Sequence, residues 1–242
     1  LLLAVSRGKV DYLRFAKVAL KEWTRSQQFY RDPEESYCWL AKLPQFRRKN
    51  CRDARMLDNL RLEWWGTMDT PRNNNTAPGA ITAAVATALF YNEKRLTPEQ
   101  VGTLTGETIA LTHGNPEAFL SGVVLAYALT GILQEPNMPL VDQFLQAIAV
   151  MSGQFRSRFF QAEELAMQLR RAIALVKSGT VTPQEGMEQL GCIDAASCVA
   201  GAIFACLIYP NDFDSAIITA VNHSGFSAAT GALTGAFLGA KL

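Results

Sequence analysis

The sequence predicts an all-α protein, an orthogonal bundle built from several helices, and two observations carry that prediction. One helix-start pattern, an N-cap residue followed by Pro and then Glu or Gln, recurs at 32–34, 97–99, 115–117 and 182–184. The cap oxygen accepts a free backbone N–H, and Pro loses nothing at the first helical position. Apolar residues also recur at three- and four-residue spacing, as in Tyr12, Phe15, Ala19 and Trp23. With no sustained alternation typical of strands, we expect roughly ten to twelve helices.

Along the chain, the same helical spacing covers 140–148 and 165–176, and the predicted helix stops are Gly114, Gly153, Gly179 and Gly191. Two segments are predicted loops. Residues 44–53 are basic, and residues 66–76 contain three consecutive Asn, whose side chains compete with the backbone for hydrogen bonds. Because no linker or repeat is found, residues 1–242 are predicted to form a single domain.

Composition excludes several classes of protein. The chain has 242 residues, and 49% of them are hydrophobic, which favours a compact core. The net charge of +1 disfavours nucleic acid as a partner.

Five cysteines without a C-x-x-C pair indicate buried thiols in a reducing compartment, so we expect a cytoplasmic protein. Trp64 and Trp65 could form an exposed aromatic patch for self-association together with Trp39, but their burial is the preferred prediction. The uncharged runs 195–211 and 216–240 are too short or too interrupted to span a membrane.

The C-terminal segment has an unusual glycine spacing. Gly231, Gly235 and Gly239 recur every four residues. A glycine inside a helix costs about 1 kcal/mol relative to alanine, so three in register need a steric reason. We expect this segment to be a central helix, packed closely inside the bundle.

Three segments resemble one protein family. Residues 220–236, AVNHSGFSAATGALTGA, are similar to the C-terminal signature of the ADP-ribosylglycohydrolases, relatives of the dinitrogenase reductase-activating glycohydrolase and of the J-type lens crystallins. Residues 111–118, LTHGNPEA, resemble the mid-chain Thr-His-x-x-Pro-x-Ala element of that family. Residues 73–79 stand where the family has a ligand loop. The resemblance covers 1–242 and implies an all-α orthogonal bundle of the same type.

The resemblance also implies a chemistry, the metal-assisted hydrolysis of a glycosidic bond to ADP-ribose. Two magnesium or manganese ions would need several oxygen ligands, most of them carboxylates. The family supplies two of these in a Gly-Gly-Asp-x-Asp-Thr run, and the aligned residues here are Phe226 and Ala228. Asp194 begins a segment that stands where the family has a Glu pair. Further carboxylates of the family come from a Thr-Asp-Asp-Thr element, which the resemblance places before Leu1. We therefore predict a degenerate metal site.

If the cleft of the family persists, the residues predicted to contact a ligand are Asn75, His113, Asn222, His223, Ser224, Gly225 and Ser227. His113 follows the end of a predicted helix, so a structural cap and a ligand contact both remain open. His223 could contact a ligand or simply pack. Cysteine catalysis is disfavoured, because the apolar segment around Cys198 raises the pKa of a thiol.

Three functions follow as alternatives. The first is a non-catalytic binding or interaction protein that has lost the dimetal carboxylates and has no metal cofactor, with ADP-ribose or a related nucleotide as its possible ligand. The second is a residual magnesium-dependent glycohydrolase that acts on ADP-ribosylated substrates. The third is a purely structural protein, as the crystallins of this family are. The missing carboxylates favour the first, a protein that is not an enzyme, with no nucleic acid or membrane as its partner.

Overall fold

A computed structural model of the chain describes residues 12–26, 43, 54–92 and 96–242. Within these ranges the secondary structure is helical, with no strand, which confirms the all-α prediction. The described helices are α1 (Tyr12–Ser26), α2 (Ala54–Arg61), a short 3-10 helix (Pro78–Ala80), α3 (Thr82–Asn92), α4 (Pro98–Ala110), α5 (Pro116–Gln134), α6 (Leu140–Phe155), α7 (Gln161–Ser178), α8 (Pro183–Leu190), α9 (Ala195–Ile208), α10 (Phe213–Val221) and α11 (Ser227–Lys241).

Three of the four predicted helix starts lie in the described ranges, and all three are confirmed. Thr97, Asn115 and Thr182 cap α4, α5 and α8, and each side chain accepts a backbone N–H from the first turn. Pro occupies the first helical position in all three helices. The fourth start, at 32–34, and the basic segment 44–53 lie outside the described residues.

The predicted helix stops are confirmed at two glycines and wrong at a third. Gly179 and Gly191 follow α7 and α8 with positive φ angles of 59° and 78°. Gly114 lies in the turn after α4, a few residues beyond the helix end. Gly153 lies inside α6, which continues to the buried Phe155. There the burial of an apolar face outweighs the weak helix propensity of one glycine.

α5 and α9 form the centre of the bundle. Every residue from Ala118 to Thr130 in α5 is buried, as is every residue from Ala195 to Cys206 in α9. α5 packs against α3, α4, α6, α7, α9 and α11, and α9 packs against six helices of its own. A helix enclosed on all sides is apolar all round, which explains why neither segment shows an amphipathic pattern.

The prediction that the C-terminal helix is central is wrong. α11 buries only one face, formed by Thr230, Leu233, Thr234, Phe237 and Leu238. A Cβ added at Gly231 would lie 2.6 Å from Val221 Cγ1 of α10, and one at Gly235 would lie 3.6 Å from Ile217 Cδ1. A Cβ at Gly239 would have no neighbour within 4 Å. The glycines therefore admit α10 along the first half of α11 and do not place α11 inside the bundle.

The adjacent tryptophans have opposite environments. Trp65 is half-buried against the core, whereas Trp64 is 55% exposed, so the predicted burial is wrong for Trp64. Glu63, which follows the end of α2, has a left-handed backbone with a φ of 55°. This residue reverses the chain, and Trp65 then faces the core while Trp64 faces solvent.

Among the described helices, α5 is long and apolar enough to cross a membrane by length and composition. Its most apolar 18-residue window has a mean hydropathy of 1.5, and 78% of that window is buried inside the bundle. A core helix that is enclosed by other helices has the same composition. The expected absence of a membrane partner stays a prediction.

Candidate functional site

The Asn-rich loop is held against the turn between α4 and α5 by one side-chain amide. Asn73 Nδ2 donates to the backbone oxygen of Thr112 at 2.8 Å. Its Oδ1 accepts the N–H of Gly114 at 2.9 Å and the N–H of Asn75 at 3.0 Å. A single amide thus joins two loops that are distant in sequence.

The neighbouring asparagines extend this network. Asn115 Nδ2 donates to Asn74 Oδ1 at 2.7 Å, while Asn115 Oδ1 accepts the N–H of Glu117 at 2.8 Å. Asn75, a predicted ligand residue, is half-buried, and its Oδ1 accepts the N–H of Ala77 at 2.9 Å. The asparagines order the loop and line its surface with amides.

His113 lies beneath this loop. The side chain is 6% exposed, and its Nδ1 lies 2.9 Å from Thr112 Oγ1. Its Nε2 faces the 3-10 helix, where a Cβ added at Gly79 would lie 3.8 Å away. The backbone N–H of His113 donates to Ile109 at the end of α4. The buried ring therefore packs at the helix end, at the base of the Asn-rich loop.

A second group of predicted residues forms the turn between α10 and α11. His223 Nδ1 accepts the N–H of Gly225 at 3.0 Å, and its Nε2 lies 2.9 Å from the backbone oxygen of Ala220. Because Nδ1 accepts, the geometry assigns the ring proton to Nε2, which donates to Ala220. Ser227 Oγ donates to the backbone oxygen of His223 at 3.2 Å. The imidazole therefore organises the turn.

Ser224 and Asn222 are also held by neighbours. The N–H of Ser224 donates to one carboxylate oxygen of Glu188 at 3.0 Å, and Ser224 Oγ donates to the other at 2.5 Å. These two hydrogen bonds hold the pKa of Glu188 below its ordinary value, and His223 adds a smaller effect in the same direction. Asn222 Nδ2 donates to Ile218 at the end of α10 at 2.6 Å. No sequence pattern indicated Glu188 as a site residue, because it lies on α8, far from Ser224 in the chain.

The turn at 191–195 lies between these two groups and touches both. The N–H of Ala195 donates to the backbone oxygen of Thr76 at 2.8 Å, next to Asn75. On the other side, the N–H of Phe226 donates to the backbone oxygen of Cys192 at 2.7 Å. Cys192 has a φ of 50° and follows Gly191, so two consecutive residues have positive φ. The turn at 191–195 is thus hydrogen-bonded to the residue after Asn75 on one side and to the start of α11 on the other.

Asp194 caps α9 within this turn. One carboxylate oxygen accepts both the N–H of Ser197 at 2.8 Å and its Oγ at 2.6 Å. Burial, together with the nearby negative charges of Asp194 and Glu164, raises the pKa of Glu117. The carboxylates of Glu117, Asp194 and Glu164 therefore repel one another, and the carboxylate of Asp194 is engaged in capping α9.

Phe226 and Ala228, at the start of α11, cannot serve as ligands in a divalent-metal centre. Phe226 is 49% exposed at the N-cap position of α11 and makes no side-chain capping bond, and Ala228 is exposed in the first turn. Neither side chain carries an oxygen, which hard cations require as a ligand. In the part of the chain that the structure describes, no three His, Cys, Asp or Glu side chains are grouped to hold a metal ion.

The three cysteines that the structure describes are buried. Burial raises the pKa of Cys192 to about 11 and that of Cys198 to about 12, and it also raises the pKa of Cys206. The nearby Thr230 hydroxyl lowers the pKa of Cys192 and Cys198 by a smaller amount and offsets only part of the effect of burial. The expectation that apolar surroundings raise the pKa of the Cys198 thiol agrees with this burial, and its low reactivity stays a prediction. Cys38 and Cys51 lie outside the described residues.

These thiols should resist alkylation in the folded protein. At pH 8, iodoacetamide should modify Cys192, Cys198 and Cys206 at least about 100-fold more slowly than in denaturant, because the thiolate is the reacting form. Mass spectrometry of the digested peptides would measure each cysteine separately. Equal rates of Cys198 modification in native and denatured protein would contradict the assigned environment.

A surface groove of about 340 Å³ lies elsewhere, at the start of α4. The other end of α4, which meets the Asn-rich loop, is about 18 Å away at 1.5 Å per helical residue. None of the predicted ligand residues lines the groove, whose walls are Leu96, Glu99, Gln100, Thr103 and Leu104.

Comparison with known proteins identifies one family. The model of the family described as ADP-ribosylglycohydrolase matches residues 1–242, the whole chain. No curated protein and no solved structure matches the chain significantly. The match includes the Asn-rich loop, the turn at 191–195 and the start of α11, and it agrees with the resemblance of the C-terminal and mid-chain segments.

Proposed function

Because this chain belongs to the ADP-ribosylglycohydrolase family, we propose that it binds ADP-ribose or a related nucleotide without hydrolysing it. The observation that carries the proposal is the pair of side chains at the start of α11. The scaffold matches the family along its length, yet Phe226 and Ala228 stand where the resemblance places two metal-binding carboxylates.

The groups around the turn at 191–195 support binding of a polyhydroxylated ligand. Amide, hydroxyl and backbone groups offer both donors and acceptors to ribose hydroxyls and phosphate oxygens. Asn75 stands on one side of the turn, and Ser224 and Ser227 stand on the other. Their positions are set by hydrogen bonds to other loops, which reduces the entropy lost on binding.

Two ionisable groups of the site, Asp194 and His223, are already engaged in hydrogen bonds, which supports the absence of hydrolysis. A glycosidic bond needs an acid for the leaving group and an activated water, tasks that this family gives in part to metal-bound carboxylates. The Asp194 carboxylate already accepts two bonds from Ser197. Both ring nitrogens of His223 are hydrogen-bonded within the turn. Recruiting either group as a base would disrupt the turn that it organises.

Isothermal titration with ADP-ribose, with and without magnesium, tests the proposal. We expect binding with the same affinity in both conditions and no release of ADP-ribose from an ADP-ribosylated protein. Asn75→Ala should weaken binding about tenfold, since one good hydrogen bond contributes about 1.4 kcal/mol, or a factor of ten. The matched control is Gln134→Ala, an exposed amide at the other end of α5, which should bind normally.

Each alternative predicts a different result. Magnesium-dependent release of ADP-ribose would overturn the proposal in favour of the residual glycohydrolase. Absence of binding in both conditions would overturn it in favour of a structural protein that resembles the crystallins. Magnesium that tightens binding without hydrolysis would contradict the metal-independent part.

A further inference from the structure

An exposed aromatic ring and a guanidinium group stack beside the candidate site. The Cζ atom of Arg72 lies 4.9 Å from the centroid of the Trp64 ring, and Arg72 Nε donates a long hydrogen bond of 3.4 Å to the backbone oxygen of Trp65. Trp64 nevertheless remains 55% exposed. A cation over an indole ring is a favourable arrangement that leaves other parts of the ring available.

Arg72 differs from three other described cations in this region, which are paired with carboxylates as Lys21–Glu63, Arg61–Asp58 and Arg158–Asp69. Among the described residues, the terminal nitrogens of Arg72 have neither a carboxylate nor another acceptor within hydrogen-bond distance. A planar guanidinium with unused donors is suited to a phosphate group, which it can bind through two parallel hydrogen bonds.

Trp64 and Arg72 are also held in place by the residues next to them in the chain. Glu63, which precedes Trp64, has its left-handed backbone and an ion pair to Lys21 of α1. Arg72 directly precedes Asn73, whose amide is fixed by three hydrogen bonds. Left-handed residues other than glycine are uncommon and cluster at functional positions. Both sides of the stack are therefore anchored on ordered backbone.

We propose that Trp64 and Arg72 form a subsite for the adenine ring and an adjoining phosphate of the bound nucleotide. The ring would stack on the indole, and the phosphate would accept hydrogen bonds from the terminal nitrogens of Arg72. This inference rests on the proposed function, because both concern one ligand. The adenine and one phosphate would lie at Trp64 and Arg72, and the rest of the ligand would lie at the turn 191–195. Arg72 and Asn75 are three residues apart, at most about 11 Å along the chain, so one nucleotide sugar can reach both.

A small nucleotide fits this subsite better than a nucleic acid does. The protein has a net charge of +1, and the described cations Arg61 and Arg158 are paired with carboxylates. A polynucleotide needs several unpaired cations along its backbone. One uncommitted guanidinium beside one exposed ring matches a ligand with a single phosphate next to a single base.

Calorimetric titrations with AMP, ribose 5-phosphate and ADP-ribose test the subsite in the full chain. Trp64→Ala should weaken binding of AMP and of ADP-ribose at least tenfold, within the range expected for loss of one base stack. The same variant should leave the affinity for ribose 5-phosphate unchanged. Arg72→Gln should weaken all three ligands about tenfold. Matched controls are Leu62→Ala, which removes a 73% exposed side chain, and Arg61→Gln, and both should bind normally.

The outcomes separate this inference from the proposed function. If ADP-ribose binds the wild type and Trp64→Ala equally well, the subsite is wrong and the proposed function stands. If Trp64→Ala weakens AMP binding and the wild type releases ADP-ribose from an ADP-ribosylated protein, the subsite stands and the proposed function is wrong. If no ligand binds the wild type, both are wrong. Circular dichroism of each variant distinguishes loss of binding from loss of folding.

Discussion

Gly225→Ala should lower the free energy of unfolding by about 3 kcal/mol or more, at the upper end of what overpacking costs. A Cβ at this position would overlap the backbone oxygens of Gly191 and Cys192 and would lie 2.8 Å from the Cys192 carbonyl carbon. These atoms belong to a turn with two positive φ angles and cannot yield as a flexible side chain could. Relief requires the start of α11 to separate from the turn, which breaks the Phe226–Cys192 hydrogen bond.

Urea denaturation would measure this loss, and Gly153→Ala is the matched control. Gly153 lies within α6, and a Cβ added there would meet nothing within 4 Å. That substitution should raise stability by about 0.5–1 kcal/mol, because alanine loses less backbone entropy in a helix. A Gly225→Ala protein as stable as the wild type would show that the two turns are not in contact.

Asn73→Ala should lower the free energy of unfolding by about 2–4 kcal/mol. The substitution removes three hydrogen bonds, each contributing about 1 kcal/mol, and leaves buried partners unsatisfied at the turn between α4 and α5. Thermal and urea denaturation would measure the change. The proposed ligand affinity should fall as well, because Asn73 positions both Arg72 and Asn75.

The adjacent Asn74 offers a control of the same residue type in the same loop. Asn74 is exposed, and its Oδ1 accepts a single bond from Asn115. Asn74→Ala should therefore cost less than about 1 kcal/mol, since an exposed hydrogen bond is readily replaced by water. Equal losses in the two variants would contradict the anchoring role of Asn73.

The features that follow from neighbouring residues could be predicted from the sequence. Thr97, Asn115 and Thr182 were identified as helix caps because each bond closes within three residues. The all-α fold and the burial of the described cysteines follow from apolar spacing and composition. The glycine-rich segment at the C-terminus and the residues at 111–118 were enough to indicate the family, because they are contiguous in the chain.

Much of the candidate site depends on contacts between distant segments. Asn73 binds residues about forty positions away, and Glu188 binds Ser224 across 36 positions. A sequence pattern indicates that such residues are polar, and only the packing of the helices determines which of them meet. The exposure of Trp64 has the same origin, because it depends on how the chain turns after α2.

By itself, then, the sequence determined that the fold is all-α, where several of the helices begin, and that Phe226 and Ala228 offer no oxygen to a cation. Tertiary structure alone decided that α5 and α9 are central, that α11 rests on α10, and that two distant loops meet at the turn 191–195. The physical reason is the sequence separation between the residues that interact. Caps and helical periodicity are satisfied within one or two turns, whereas burial and loop contacts depend on the arrangement of all the helices together.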